Sequence, residues 1–276
     1  MNPILLHLLP ASLYAGLGLS FWRAFAQGDG PLVKGRGMSP GQRVLLLIAL
    51  LVHGLAVHMD IFASAQMHFG FGVAISMMVW LAICFYWVET LYTRLDGLLA
   101  VIMPAGVVAS LLPLFFKSEH LLVNAASPAF RAHFVVAMLA YSLFTLAALH
   151  AMLMSVASHQ LHNARLGRIL STLPPLLTME TLLFRLVSIA FVLLTLTLVS
   201  GVLFSEALFG TPFRVDHKSV FAFISWLLFG ALLLGRRLWG WRGRMALRWT
   251  LAGFVALMLA YVGSRFVLEV LLGRPG

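Results

Sequence analysis

The chain has 276 residues, 61% of them hydrophobic and only 10% charged, and its mean hydropathy of +0.97 excludes an ordinary soluble domain. A formal charge of +10 would suit a nucleic-acid binder only if Lys and Arg gathered on one soluble face. They fall instead in short segments between apolar runs, so no nucleic-acid partner is expected. The single cysteine, Cys84, lies within an apolar run and rules out an internal disulfide.

A membrane helix needs roughly 20 apolar residues to cross a hydrocarbon core of about 30 Å. The hydropathy pattern predicts eight such spans, taken here in chain order. The first covers Ile4 to Trp22. Ala24-Phe25-Ala26 after it resembles a signal-peptidase site, but no basic residue precedes the run, so it reads as a retained anchor. Then come Val44 to Phe62, Phe71 to Tyr92, Leu98 to Phe116 and Ala132 to Val156. After Val156, residues Gln160 to Ser171 carry His162, Arg165 and Arg168 among Leu161, Leu166, Ile169 and Leu170, a pattern that suits a short basic amphipathic helix or a solvated loop. The last three spans are Leu182 to Phe204, Ser219 to Leu234 and Trp249 to Val270. None of the connectors is long enough to fold alone. The expected fold is therefore an all-α integral membrane protein, a bundle of about eight transmembrane helices in one polytopic domain over residues 1–276.

Loop charge sets the orientation. With an even number of spans and the N-terminus outside, the inner segments hold Arg23, Lys34, Arg36, Arg43, Arg94, Arg165, Arg168, Arg236, Arg237, Arg242, Arg244 and Arg248. The outer ones hold only Lys117, Arg131, Arg214, Lys218 and Arg274, with Arg185 and Arg265 near helix ends. Basic residues collect on the cytoplasmic side of membrane proteins, so both termini are expected in the periplasm.

Ionisable and metal-binding groups at membrane depth are costly, which makes each one a candidate for function. Histidine stands out. His53 and His58 lie in the second span, His133 near the outer start of the fifth, His150 near its inner end and His217 at the outer start of the seventh. A neutral imidazole is a good axial ligand for heme iron, and two imidazoles at similar depth on different helices can clamp one heme. His133 and His150 are 17 residues apart, about 25 Å along a helix, and cannot share one iron. His53 and His58 point roughly 140° apart and face different neighbours. Depth leaves both open, with His58 the nearer to that of His133. The plain alternative is that each histidine merely hydrogen-bonds a neighbouring helix.

Other polar positions carry less. Asp60, Glu89 and Glu269 are possible parts of a proton or ion route, though helix-end snorkelling accounts for them equally. Arg265 and Glu269 stand at i, i+4 spacing and are expected to pair. Trp22, Trp80, Trp87, Trp226, Trp239, Trp241 and Trp249 largely fit an interfacial aromatic belt. No serine triad, Walker loop, zinc spacing, dinucleotide turn or Cys-x-x-Cys-His appears, so no enzymatic turnover is expected.

The C-terminal half carries more than composition. Val215-Asp216-His217-Lys218 is followed by Trp226, then Gly240-Trp241-Arg242-Gly243-Arg244, Gly253-Phe254, and Leu259-Ala260-Tyr261-Val262-Gly263-Ser264-Arg265-Phe266. Upstream stand Ala132-His133 leading to Ala140-Tyr141-Ser142, and Pro174-Pro175-Leu176-Leu177-Thr178-Met179-Glu180 leading to Leu193–Gly201. Together these resemble the cytochrome c assembly membrane protein family of the CcsA, ResC and HemX types, nearest its small YpjD-like inner-membrane branch. The resemblance is best over 44–271 and clearest from Arg131 to Leu271. It implies a bacterial inner-membrane protein of eight spans, a non-covalent b-type heme, and His53 and His133 as the iron ligands. The outer loops lack the tryptophan-rich, Asp-containing segment of relatives that hand heme to apocytochromes, and His217 stands where many relatives carry another residue.

Three functions follow as expectations. The first is a heme-binding or heme-handling protein connected with cytochrome c biogenesis, its partners being the lipid bilayer, heme and other biogenesis membrane proteins. The second is a transporter or channel for a proton, metal ion or small solute. The third is a non-catalytic assembly partner of another membrane complex.

Overall fold

The computed structural model describes residues 3–27, 38–62, 67–92, 96–116, 125, 127–162, 175–205 and 215–272. Among the described residues eight α-helices succeed one another: α1 Pro3–Gln27, α2 Pro40–Ile61, α3 Phe71–Glu89, α4 Leu99–Phe115, α5 Pro128–His162, α6 Leu176–Leu203, α7 His217–Trp239 and α8 Gly243–Met258. A 3-10 turn, Asp96–Leu98, leads into α4, and α8 runs on through the π-helical turns Leu259–Gly263 and Phe266–Leu271. Seven of these helices are long and apolar enough to cross a membrane; α4, with 17 residues, is shorter. The many large apolar side chains left exposed, such as Leu51, Val108, Val192 and Leu227, suit a lipid surround.

Each predicted span coincides with one helix, and the differences lie at the ends. α6 begins at Leu176 rather than Leu182 because Pro175 starts it and Glu180, in its second turn, is paired rather than solvated. α8 begins at Gly243, where the side chains of Arg244 and Arg248 reach the surface. α5 continues through Gln160 to His162, while the rest of the segment read as amphipathic lies outside the described residues. Ala24 to Ala26 fall in the last turns of α1.

Local chemistry sets two of the starts. Ser39 caps α2 by accepting from the Gln42 amide at 3.2 Å, while the Gln42 side chain accepts from the Ser39 amide at 3.0 Å, with Pro40 at the first helical position. Asp216 and Ser219 form the same reciprocal box at α7. Partial burial pushes the Asp216 carboxyl up, but the Ser219 amide and hydroxyl with nearby Lys218 and His217 outweigh it and hold the group below its ordinary value.

α1 packs on α2 and α4, α3 on α2, α4 and α5, α5 on α6 and α8, and α7 on α6 and α8. The result is two groups of four, α1–α4 and α5–α8, joined where α3 meets α5. Successive helices run antiparallel, so the start of α1 and the end of α8 lie at one face, the terminal face. There Phe71 of α3 meets Phe116 and Phe266. The opposite face carries Arg23, Arg43, Arg236, Arg237, Arg242, Arg244 and Arg248, against Arg131, Lys218 and Arg265 toward the terminal face among the described residues.

Candidate functional site

His53 sits midway along α2 on its buried side, fully enclosed between α1 and α3. Its Nδ1 lies 3.2 Å from the Tyr14 hydroxyl of α1 and its Nε2 lies 2.9 Å from Ser76 Oγ of α3. The Tyr14 ring meets the imidazole edge-on. His58, five residues on, is exposed and rests against Phe62. Of the two, the helix rotation turns His53 inward.

One heptad farther toward the terminal face a second polar rung joins the same helices. His7 of α1 donates from Nδ1 to the Ser110 carbonyl of α4 at 2.9 Å, and its Nε2 lies 3.3 Å from Asp60 Oδ1 of α2. His7 and Tyr14, like His53 and Asp60, are seven residues apart, so each helix presents both of its groups on one side. Asp60 Oδ2 is buried without a hydrogen-bond partner. Neither His7 nor Tyr14 stands out in the sequence, because an isolated polar residue in an apolar run acquires meaning only from the residue opposite.

His133 lies half-buried in the second turn of α5. Its Nδ1 is 2.8 Å from Ser200 Oγ of α6. Ser200 itself donates to the Thr197 carbonyl at 3.1 Å, so its oxygen accepts from His133 Nδ1–H. The network thereby assigns the tautomer and leaves Nε2 as the basic nitrogen. Neighbouring Phe134 packs edge-to-face on Phe69, which in turn meets Tyr261.

The two proposed ligands are not brought together. α2 packs on α1 and α3, α5 packs on α3, α6 and α8, and α3 is the helix touching both. His133 is oriented by one hydroxyl through Nδ1, a contact of the kind that holds a ligating histidine in register, whereas His53 meets a hydroxyl at each nitrogen. No group of three His, Cys, Asp or Glu side chains is placed to hold a bare metal ion among the described residues. An iron already held by four porphyrin nitrogens asks for one or two imidazoles only; His133 engages Nδ1 with Ser200, and an imidazole at His53 would first have to give up one of its two hydroxyl partners.

The remaining candidates serve packing or line surfaces. Arg265 and Glu269 pair at 3.8 Å as their spacing predicts, and Glu269 also accepts from the Phe71 amide at 2.8 Å, capping α3. His150 is fully buried and donates from Nε2 to the Met179 carbonyl at 2.9 Å. Glu89 lines a mostly apolar cavity of about 140 Å³ between α3, α5 and α6 that also includes Arg185. His217 is exposed at the start of α7. Several indoles tie helices together rather than only marking the interface: Trp80 donates to the Leu50 carbonyl, Trp87 to that of Arg43 and Trp226 to Thr195 Oγ1.

Sequence reasoning passed over Glu180. This buried carboxylate accepts from Arg236 of α7 and from the Gly243 amide at 3.1 Å, with Arg242 Nε at 3.6 Å. Arg236 in turn lies over the Phe184 ring at 4.4 Å. Gly240 and Gly243 adopt φ of 65° and 57°, a left-handed geometry glycine enters without strain. That geometry turns the Gly240–Gly243 corner back so that its amide meets Glu180. The available signal was a lone acid beside an arginine-rich corner.

Comparison with known proteins completes the description. The model of the family described as "Cytochrome C assembly protein" matches residues 42–272. The chain is 30% identical over 245 residues to the inner membrane protein YpjD of Escherichia coli K12, covering 88% of this chain and 92% of that protein. It is 39% identical over 89 residues to the cytochrome c biogenesis protein CcsA of Prochlorococcus marinus MIT 9301, covering 32% of this chain and 29% of that one. With its membrane-competent helices, the chain is a multi-pass inner-membrane protein.

Proposed function

Because this chain belongs to the cytochrome c assembly family of membrane proteins, we propose that it binds or carries a non-covalent b-type heme in connection with cytochrome c biogenesis, without turnover of its own. The observation that carries the proposal is the Thr197–Ser200–His133 chain, which engages Nδ1 and so makes Nε2 the nitrogen through which His133 would meet a Lewis acid. In this reading His133 and His53 are the protein ligands to heme iron. Ser200 orients His133 and Tyr14 orients His53, each through Nδ1. His53 would hold the iron through Nε2 only if Ser76 gave up its 2.9 Å contact, and for both imidazoles to serve one iron the α2 and α5 sides would also have to approach. Heme, when bound, would supply a redox-active iron. The arginine-rich face lies in the cytoplasm by the positive-inside rule, with the start of α1 and the end of α8 periplasmic. Other biogenesis membrane proteins are the natural recipients or donors.

The test is the optical spectrum, oxidised and dithionite-reduced, of detergent-purified protein from heme-replete cells, beside His53→Ala and His133→Ala. A low-spin Soret and α-band pattern in the wild type, lost or converted to high spin in both variants, is the expected result. A colourless wild type that gains no Soret band with added hemin overturns the reading.

A second reading, a proton route, has the paired rungs His7–Asp60 and Tyr14–His53–Ser76 as its specific support. Proton flux in proteoliposomes that disappears in Asp60→Asn supports it; equal flux in both, or none, removes it.

A further inference from the structure

The arginine-rich face holds a cavity that the heme reading does not use. It has a volume of about 240 Å³ and lies between the last turns of α5 and the first turns of α8, ample room where one water needs about 15 Å³. Its polar lining is Ser155, Ser158 and His159 from α5 with Arg244 and Arg248 from α8, and its apolar lining is Leu247 and Leu251. Arg244 and Arg248 stand four residues apart on one side of α8, and both are exposed. Among the described residues neither is paired with a carboxylate, whereas Arg236, Arg242 and Arg265 all are. The following connector, residues 163–174, contains no Asp or Glu. Two guanidinium groups and two hydroxyls thus line one space, with no carboxylate in the lining among the described residues.

We propose that this cavity binds the phosphate of an anionic phospholipid. Guanidinium groups match phosphate oxygens in paired hydrogen bonds, and hydroxyls complete the shell. A free phosphate offers the same headgroup chemistry. The lipid is favoured because the cavity lies between the ends of two membrane-competent helices and is lined by Leu247 and Leu251 as well as by the arginines, while Val156 and Met245, the chain neighbours of Ser155 and Arg244, are exposed apolar side chains. Basic pockets between helices at this level are suited to anionic headgroups.

The test measures lipid binding to the purified full-length chain by native mass spectrometry, together with the thermal shift on adding lipid. Phosphatidylglycerol is compared with phosphatidylcholine and with inorganic phosphate alone. The variants are Arg244→Gln/Arg248→Gln, Ser155→Leu to fill the cavity with the charge unchanged, and Arg237→Gln as an exposed arginine outside it. Phosphatidylglycerol is expected to bind wild type and Arg237→Gln alike and to raise their melting temperature, phosphatidylcholine not to. The double variant should bind it roughly 20-fold more weakly, and Ser155→Leu should also lose it. Unchanged binding in Ser155→Leu and the double variant, or equal loss in Arg237→Gln, overturns the site. An equal thermal shift from inorganic phosphate overturns the lipid assignment.

Discussion

Glu180 offers a prediction whose size follows from its surroundings. Its side chain is 9% exposed, and it accepts from Arg236, itself 25% exposed, and from the Gly243 amide. Glu180→Ala leaves a largely buried guanidinium without its counter-charge and an amide without its acceptor. Breaking such a pair costs about 3–5 kcal/mol when fully buried. Partial exposure of Arg236 and a weak alternative acceptor, the Trp241 carbonyl at 3.4 Å, place the expectation near ~3 kcal/mol. At about 2–4 °C per kcal/mol for a chain of this order, the apparent Tm should fall by roughly 6–12 °C. Glu180→Gln keeps an acceptor for Gly243 and should fall about half as far. Glu180→Ala with Arg236→Met removes the orphan charge while keeping apolar cover on Phe184, and should return to within about 1 kcal/mol of wild type. Apparent Tm in detergent at one fixed scan rate, with the double-mutant cycle built from the four proteins, is the assay. A fall below about 2 °C for Glu180→Ala, or a double variant no more stable than the sum of its parts, refutes the reasoning.

Three further outcomes are expected. In Gly54→Ala the new Cβ stands 2.7 Å from the Trp80 ring; the indole must shift and strain its bond to the Leu50 carbonyl, costing about 1–3 kcal/mol, read as a lower Tm with an altered tryptophan emission, and unchanged values count against the packing. Ser200→Ala removes the acceptor that orients His133, so hemin affinity should weaken by about tenfold or more with little change in Tm, and an unchanged titration argues against His133 as a ligand. Asp216→Ala should weaken the start of α7 by about 1 kcal/mol at neutral pH. Because the folded-state value of Asp216 is depressed, that contribution is fully present above the ordinary carboxylate value near pH 4 and is lost as pH falls from there through the lower folded-state value. Hydrogen exchange of the 215–225 segment should therefore differ between the two proteins at pH 7 and converge in acid, and a difference that grows in acid contradicts the cap.

Hydropathy alone determines that this chain is an all-helical membrane protein with eight apolar runs, because burying backbone polar groups in hydrocarbon leaves the helix as the form for each long apolar run. The arginine distribution along the chain likewise marks one face of the bundle before any packing is known. Helix starts were less legible: Glu180 and Arg248 look like loop residues until pairing or snorkelling admits them to a helix. The site was legible only as residue types. That His53 points inward and His58 outward depends on which side of α2 meets α1 and α3, a matter of tertiary rotation that a nearly uniformly apolar helix does not encode. His7 with Asp60, Ser200 with His133, Glu180 with Gly243, and Ser155 with Arg244 across one cavity lie 53, 67, 63 and 89 residues apart in sequence. Hydrogen bonding at such separations is decided by packing, because the partner a buried polar group needs is chosen by the helix that arrives beside it.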